Sequence, residues 1–206
     1  PLDQAVAARA ADRALALAAD PDRRRVQSSA ARSLVDGRGA ARVLAELRAP
    51  LLRLRPAQAA DAELLWAWAN DPDTRASSFD PAPIPWSDHV RWLAGRLGHP
   101  TSPLFVAEGS GGAAVGLVRF DACEDGPEIG VTVAPEARGG GVAAPLVLAG
   151  CLRVATQGAV TVHAHIRPDN ERSLAAFRAA GFEGDDRTIR KGVVACHLGW
   201  SADRVR

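Results

Sequence analysis

The segment that most constrains the fold runs from Glu128 to Val154. Its first part, Ile129 to Val133, is β-branched apart from one glycine, which predicts a buried strand. Pro135 cannot donate to a strand ladder and should end that strand. Arg138-Gly139-Gly140-Gly141 follows, and the apolar run from Val142 to Val154 has the length of a helix. A strand, a glycine loop and a helix in that order place backbone N–H groups where the helix begins. With the positive end of the helix behind them, such amides form a site for a phosphate group. Successive glycines carry no Cβ to hold a diphosphate away from the backbone.

Spacing narrows the choice of phosphorylated cofactor. A dinucleotide fingerprint needs Gly-x-Gly-x-x-Gly with an acid about twenty residues on. Here position 144 is Ala, and no acid lies between Arg138 and His163. The Gly-Lys-Ser/Thr ending of a P-loop is also missing. What fits is Arg/Gln-x-x-Gly-x-Gly/Ala, carried by Arg138, Gly141 and Ala143. Downstream stand Ile166-Arg167-Pro168-Asp169-Asn170, then Ser173, Phe177 and Gly181-Phe182. Together these two ordered motifs resemble the GNAT family of N-acetyltransferases. The resemblance implies acetyl-CoA as cosubstrate, with its diphosphate cradled by Arg138, Gly139, Gly140, Gly141, Val142 and Ala143. It also implies pantetheine contacts from the backbone of Val131 and Val133 and from Asn170. The residues themselves give Asn170 a compatible second reading, as the N-cap of the helix that follows it.

The rest of the chain agrees with an α/β class and a mixed sheet. Leu51 to Leu54 reads as a short strand, and Asp61 to Asn70 as a helix with Leu64, Leu65 and Trp68 inward. Turn chemistry follows at Asn70-Asp71-Pro72-Asp73, then a loop with three prolines from Ser77 to Pro85. Ser87 is a good N-cap for a helix running to about Leu97. Leu104 to Glu108 and Val115 to Phe120 make a hairpin around Gly109-Ser110-Gly111-Gly112. Val160 to Ile166 is a strand, Asn170 to Ala180 a helix, and Thr188 to Trp200 a last hairpin. This order is also that of the GNAT fold, whose two central strands splay apart.

Residues 1–49 read as helices rich in Ala, Leu and Arg, broken at Asp20-Pro21 and again at Asp36-Gly37. Ala49-Pro50 marks a boundary, which gives a helical segment over 1–49 and an acetyltransferase-like domain over 50–206. Ser33 to Val43 resembles the C-terminal end of the nucleotide-sugar hydrolase of pseudaminic acid biosynthesis. The chain begins at Pro1 and contains no Met, which predicts a piece of a longer polypeptide. With net charge +1 and no basic cluster interleaved with aromatics, no nucleic-acid face is indicated. The longest apolar run, Gly141 to Leu152, is too short for a membrane span, and no signal-peptide core precedes it. Cys123, Cys151 and Cys196 are widely spaced in apolar surroundings, and read as buried free thiols in a reducing cytoplasm and not as a metal site. A homodimer is kept as an expectation.

Acetyl transfer to an amine needs a neutral nucleophile, so a base must take the ammonium proton. His163 and His165 point to one side of their strand. His165 is the first candidate base, because imidazole titrates near neutrality, with a hydrogen-bonded structural role as the alternative. Glu128, at the mouth of the cofactor strand, is the second, and His89 the third. Many family members carry a Tyr seven residues after the Asn; here that position is Phe177, and the chain has no Tyr. This departure leaves the general acid open and keeps a non-catalytic acyl-CoA-binding module among the readings. Residues 66–92 resemble the pathway's acetyltransferase that acts on the 4-amino group of a UDP-linked amino-deoxy sugar. In this reading Trp86 and His89 line the acceptor pocket and Arg75 pairs with diphosphate. Protein N-terminal acetyltransferases share Trp-x-Asn-Asp-Pro, and are the alternative.

Overall fold

The computed structural model describes residues 20–22, 25 and 52–202. The chain divides into two compact units, Pro1–Arg48 and Ala49–Arg206. In the first unit the carboxylate of Asp20 accepts the Asp22 N–H at 3.1 Å, and Pro21 opens a helical turn. The rest of the helices expected before Pro50, and the hydrolase-like stretch, lie outside the described residues.

The second unit is a seven-stranded mixed sheet. Its strands are β1 (Arg53–Pro56), β2 (Leu104–Glu108), β3 (Ala114–Asp121), β4 (Glu128–Val133), β5 (Thr161–Ile166), β6 (Glu183–Arg190) and β7 (Val193–Ser201). They lie in the order β1-β2-β3-β4-β5-β7-β6. Helices α1 (Ala62–Asn70), α2 (Pro72–Ala76) and α3 (Trp86–Arg96) connect β1 to β2, α4 (Ala143–Ala155) joins β4 to β5, and α5 (Glu171–Ala179) joins β5 to β6. Among the described residues only β4 and β5 run parallel.

That parallel pair is where the sheet opens. Its register contains a single partner pair, Glu128 with His163, next to an N–H bond from His163 to the Pro127 carbonyl at 2.9 Å. Beyond it the strands diverge. The facing edges of β4 and β5 are then unpaired, which leaves backbone donors and acceptors for a ligand. On one sheet face Phe105, Val118, Phe120 and Ile129 pack against Leu146, Val147 and Cys151 of α4. Residue alternation turns Leu104, Val106 and Leu117 to the opposite face, against Leu65, Trp68 and Leu93. Helices α1 and α3 thus cover the β2–β3 end of that second face. Farther along the same face project Glu128, His163 and His165.

Several expectations shift. The first strand begins two residues later than expected, at Arg53. Leu64 is exposed, and Leu65 and Trp68 alone carry the inward face of α1. A helical turn, α2, replaces the simple turn after Asn70, because the Asp71 carboxylate caps it by accepting the Thr74 N–H at 3.1 Å. Ser87 is not a cap: α3 starts one residue earlier, and Pro85 stands at its N-cap. The last hairpin begins at Glu183 rather than Thr188. Its first half is a polar edge strand, without the apolar alternation that marks a half-buried one.

Candidate active site

The glycine loop folds as its sequence demands. A turn of 3-10 helix over Pro135–Ala137 ends β4, and α4 starts at Ala143. Gly139 and Gly141 have φ of 77° and 72°, the left-handed region that suits glycine. A Cβ at either would point into open space, so backbone conformation alone requires glycine there. The amides of Gly139, Gly141, Val142 and Ala143 have no backbone acceptor among the described residues. Four donors at the start of a thirteen-residue helix match a diphosphate.

Arg138 reaches away from this loop. Its guanidinium donates to Asp71 at 2.5 Å, to the Thr74 hydroxyl at 2.9 Å and to Asp73 at 3.2 Å. The guanidinium beside Asp71 holds that carboxyl below the ordinary range. On the other side of the opening, Arg167 at the end of β5 donates to the carbonyls of Ala76 and Ser78, each at 3.1 Å. Two arginines therefore fasten residues 71–78 to both sides of the divergent strands. A groove of about 400 Å³ lies between α2 and the start of α5, lined by Asp73, Ala76, Ser77 and Asp169 to Arg172. Asn170 is one of its lining residues and also the N-cap of α5, its Oδ1 accepting the Ser173 N–H at 3.1 Å. Val131 and Val133 pack partly buried against the α4 core and leave their backbone on the opened strand.

Glu128 and His165 come together. His165 Nδ1 is enclosed and lies 3.1 Å from Glu128 Oε2. That contact is off the line a hydrogen bond needs, so it is electrostatic. Arg190, from the edge strand β6, binds the same carboxylate oxygen. Burial pushes the His165 imidazole below its ordinary value; Glu128 opposes this, while Arg190 and His197 add to the fall. His197 of β7 pairs with His165 in the register, and the two rings stack at 5.0 Å. His163 meets His197 edge to edge, with ring centroids 5.1 Å apart, planes 19° from parallel and Nδ1 3.0 Å from His197 Nε2. Sequence reasoning missed His197 and Arg190. Both lie in the last hairpin, and only the register β5-β7-β6 brings that hairpin to β4. The alternation of His197 with the buried Cys196 and Leu198 was the available signal for its face.

Three expected acceptor-site residues stand differently from one another. Trp86 is exposed and packs edge-on to Trp66 at 5.6 Å. His89 is turned inward, 3% exposed, with Nε2 donating to the Ala62 carbonyl at 3.0 Å. Burial lowers its pKa, and it braces α3 on α1 instead of facing a ligand. Arg75 is bound by its own loop, donating to the carbonyls of Asp80 and Ala82 and to the Ser78 hydroxyl. That guanidinium holds the loop and is not free for a diphosphate. Phe177 is buried in the core against Phe182 at 5.0 Å.

Comparison with known proteins agrees with this fold. Residues 52–183 match the model of the acetyltransferase (GNAT) domain. The chain belongs to the GNAT acetyltransferase family. Among solved structures it is similar to a candidate phosphinothricin N-acetyltransferase, with 25% identity and a TM-score of 0.61 over 73% of this chain and 98% of that one. Aminoglycoside acetyltransferase AAC(6')-Ib, solved with coenzyme A and kanamycin, aligns at 16% identity and TM-score 0.64 over 74% and 96%. Spermidine N-acetyltransferase from Vibrio cholerae, solved with coenzyme A and spermine, aligns at 16% and 0.65 over the same shares. No curated protein sequence matches the chain. The last two likenesses carry the fold alone. The family makes the protein an N-acetyltransferase, and its donor acetyl-CoA. No cluster of metal-binding side chains and no helix able to cross a membrane occurs among the described residues.

Proposed function

We propose that the protein transfers acetyl from acetyl-CoA to a primary amine of a small molecule, with His165 as general base and Glu128 as its partner. The observation that carries this reading is the Glu128–His165 pair at the point where β4 and β5 part. The acetyl-CoA thioester supplies the acetyl group when bound. The free amides of Gly139, Gly141, Val142 and Ala143 hold its diphosphate, the Gly140 N–H being taken by the Ala137 carbonyl, and Asn170 with the open edge of β4 at Val131 and Val133 guides the pantetheine arm. The acceptor arrives as an ammonium, which has no lone pair. His165, kept unprotonated near neutral pH by its burial, takes the proton at Nε2. Glu128 beside Nδ1 steadies the resulting imidazolium, and Arg190 keeps that carboxylate in place.

The acceptor we infer is the 4-amino group of a UDP-linked amino-deoxy sugar. The exposed Trp86, propped by Trp66, supports this as a flat surface for a sugar or uracil ring. A cytoplasmic setting suits such a substrate. The deciding experiment measures release of free thiol from acetyl-CoA with a UDP-4-amino-4,6-dideoxy sugar, with spermidine and with short peptides. Turnover with the sugar is expected; turnover with peptide or polyamine alone overturns the acceptor, and binding of acetyl-CoA without turnover of any amine overturns catalysis.

A further inference from the structure

Three histidines, not one, adjoin where β4 and β5 part, and their hydrogen bonds have a direction. His163 Nε2 is 2.9 Å from the Asp125 carbonyl oxygen, which can only accept. That nitrogen therefore carries a hydrogen. In neutral His163 the other nitrogen, Nδ1, is bare and can only accept. His197 Nε2 is 3.0 Å from it and must be the donor. One backbone carbonyl in the loop before β4 thus fixes the tautomer of His163 and, through it, that of His197.

His197 then lies face to face with His165, with ring centroids 5.0 Å apart and planes 30° from parallel. The groups facing His165 are Glu128 from β4, Arg190 from β6, His197 from β7 and, two residues earlier on its own strand, His163. Glu128 favours a charged His165. Arg190 and a charged His197 oppose it. Arg190 shares the Glu128 carboxylate, and His197, whose cross-strand partner on β6 is Asp186, is the ionisable ring stacked on His165.

We propose that His197 is a positioning residue of this active site: fixed by His163 and the Asp125 carbonyl, it stacks on His165, holds that ring beside Glu128 and opposes its premature protonation. The proposal rests on His165 being the base, and deepens that reading. Two imidazolium rings stacked at this distance repel, so the stack as a whole resists a second proton. The proton taken from the acceptor's ammonium then resides on His165 beside Glu128.

The test separates this proposal from the identity of the base. Nitrogen-15 NMR of the histidine side chains in the whole protein reads tautomer and titration midpoint for each ring, without turnover. Two variants are compared with the parent protein. His197→Gln keeps an N–H donor for His163 but cannot be charged; His197→Asn is too short to keep it. The expected result is His163 as its Nε2–H tautomer in all three proteins, because the Asp125 carbonyl sets it, with the His163 Nδ1 resonance moving to that of an unbonded acceptor in His197→Asn alone. The His165 midpoint should rise in both variants, with the acidic limb of kcat/KM moving the same way in His197→Gln. An unmoved His165 midpoint in His197→Gln, or His163 protonated on Nδ1 in the parent, overturns the proposal. A moved midpoint with an unmoved kinetic limb upholds the coupling between the two rings and overturns His165 as the base instead.

Discussion

At the scale of single residues, the proposed chemistry rests on a histidine whose environment does two jobs. Burial keeps His165 neutral, and Glu128 accommodates the charge once a proton arrives. Removing the imidazole should slow turnover by about 10²–10⁴-fold, the usual worth of general acid–base catalysis. His165→Ala is therefore expected to lose that factor in kcat while calorimetry shows coenzyme A binding unchanged. Loss of less than about tenfold would dismiss it as base. Activity should also fall on the acid side, with the limb of kcat/KM lying below the ordinary histidine value of about 6.5 because burial depresses it. A limb above that value contradicts the arrangement.

Among the elements, α4 and α5 position the glycine loop and the groove proposed for the pantetheine arm, and each depends on one small feature. Gly150 of α4 lies so close to β3 that an added Cβ would sit 2.8 Å from Val118 Cγ1. Gly150→Ala should therefore push the helix off the sheet and cost about 1–3 kcal/mol, the usual penalty of overpacking, measured by denaturant unfolding. A neutral or stabilising result would mean that the helix is free to shift. Asn170 caps α5 through the Ser173 N–H. Asn170→Ala should cost about 1 kcal/mol in stability, and Asn170→Asp should largely restore it. If both groove and cap matter, only Asn170→Asp will separate them: stability returns, while coenzyme A binding stays weakened.

For the folded unit as a whole, two features link distant parts. Arg138 joins the glycine loop to α2, and Arg167 joins the end of β5 to the loop after it. Losing a charge-assisted hydrogen bond costs about 1.5–3 kcal/mol, so Arg138→Ala should weaken coenzyme A binding roughly tenfold or more. Because α2 loses its anchor, the acceptor KM should rise as well; a change in coenzyme A affinity alone would show that the two sides are independent. The second feature is acid sensitivity. His89 and His165 both have depressed values in the fold, mainly through burial. Below about pH 6.5 the unfolded chain binds protons that the folded one refuses, so stability drops as pH falls through that point. Asp61, Asp71, Glu108 and Asp169 are held low chiefly by arginine partners, and withdraw a further share as pH falls through the ordinary carboxylate range. A thermal-unfolding series from pH 8 to 4 should show two successive losses, the first flattened in His89→Gln.

What the sequence determined by itself was local. β-Branched residues at 129–133, the proline after them, the glycines and the apolar run to Val154 are neighbours in the chain. Their conformations follow from sterics and backbone hydrogen bonding within a few residues. The Asn170 cap was readable for the same reason. Glu128 and His165 were recognisable as candidates from type and position, but their meeting was not, because it depends on where β5 lies beside β4. Tertiary structure decided everything that depends on register and burial. It turned His89 into the core and tied Arg75 to its own loop. It sent Arg138 to Asp71 and folded the last hairpin back so that His197 and Arg190 reach the site. Side chains separated by tens of residues are brought together by packing free energy, which no single segment contains.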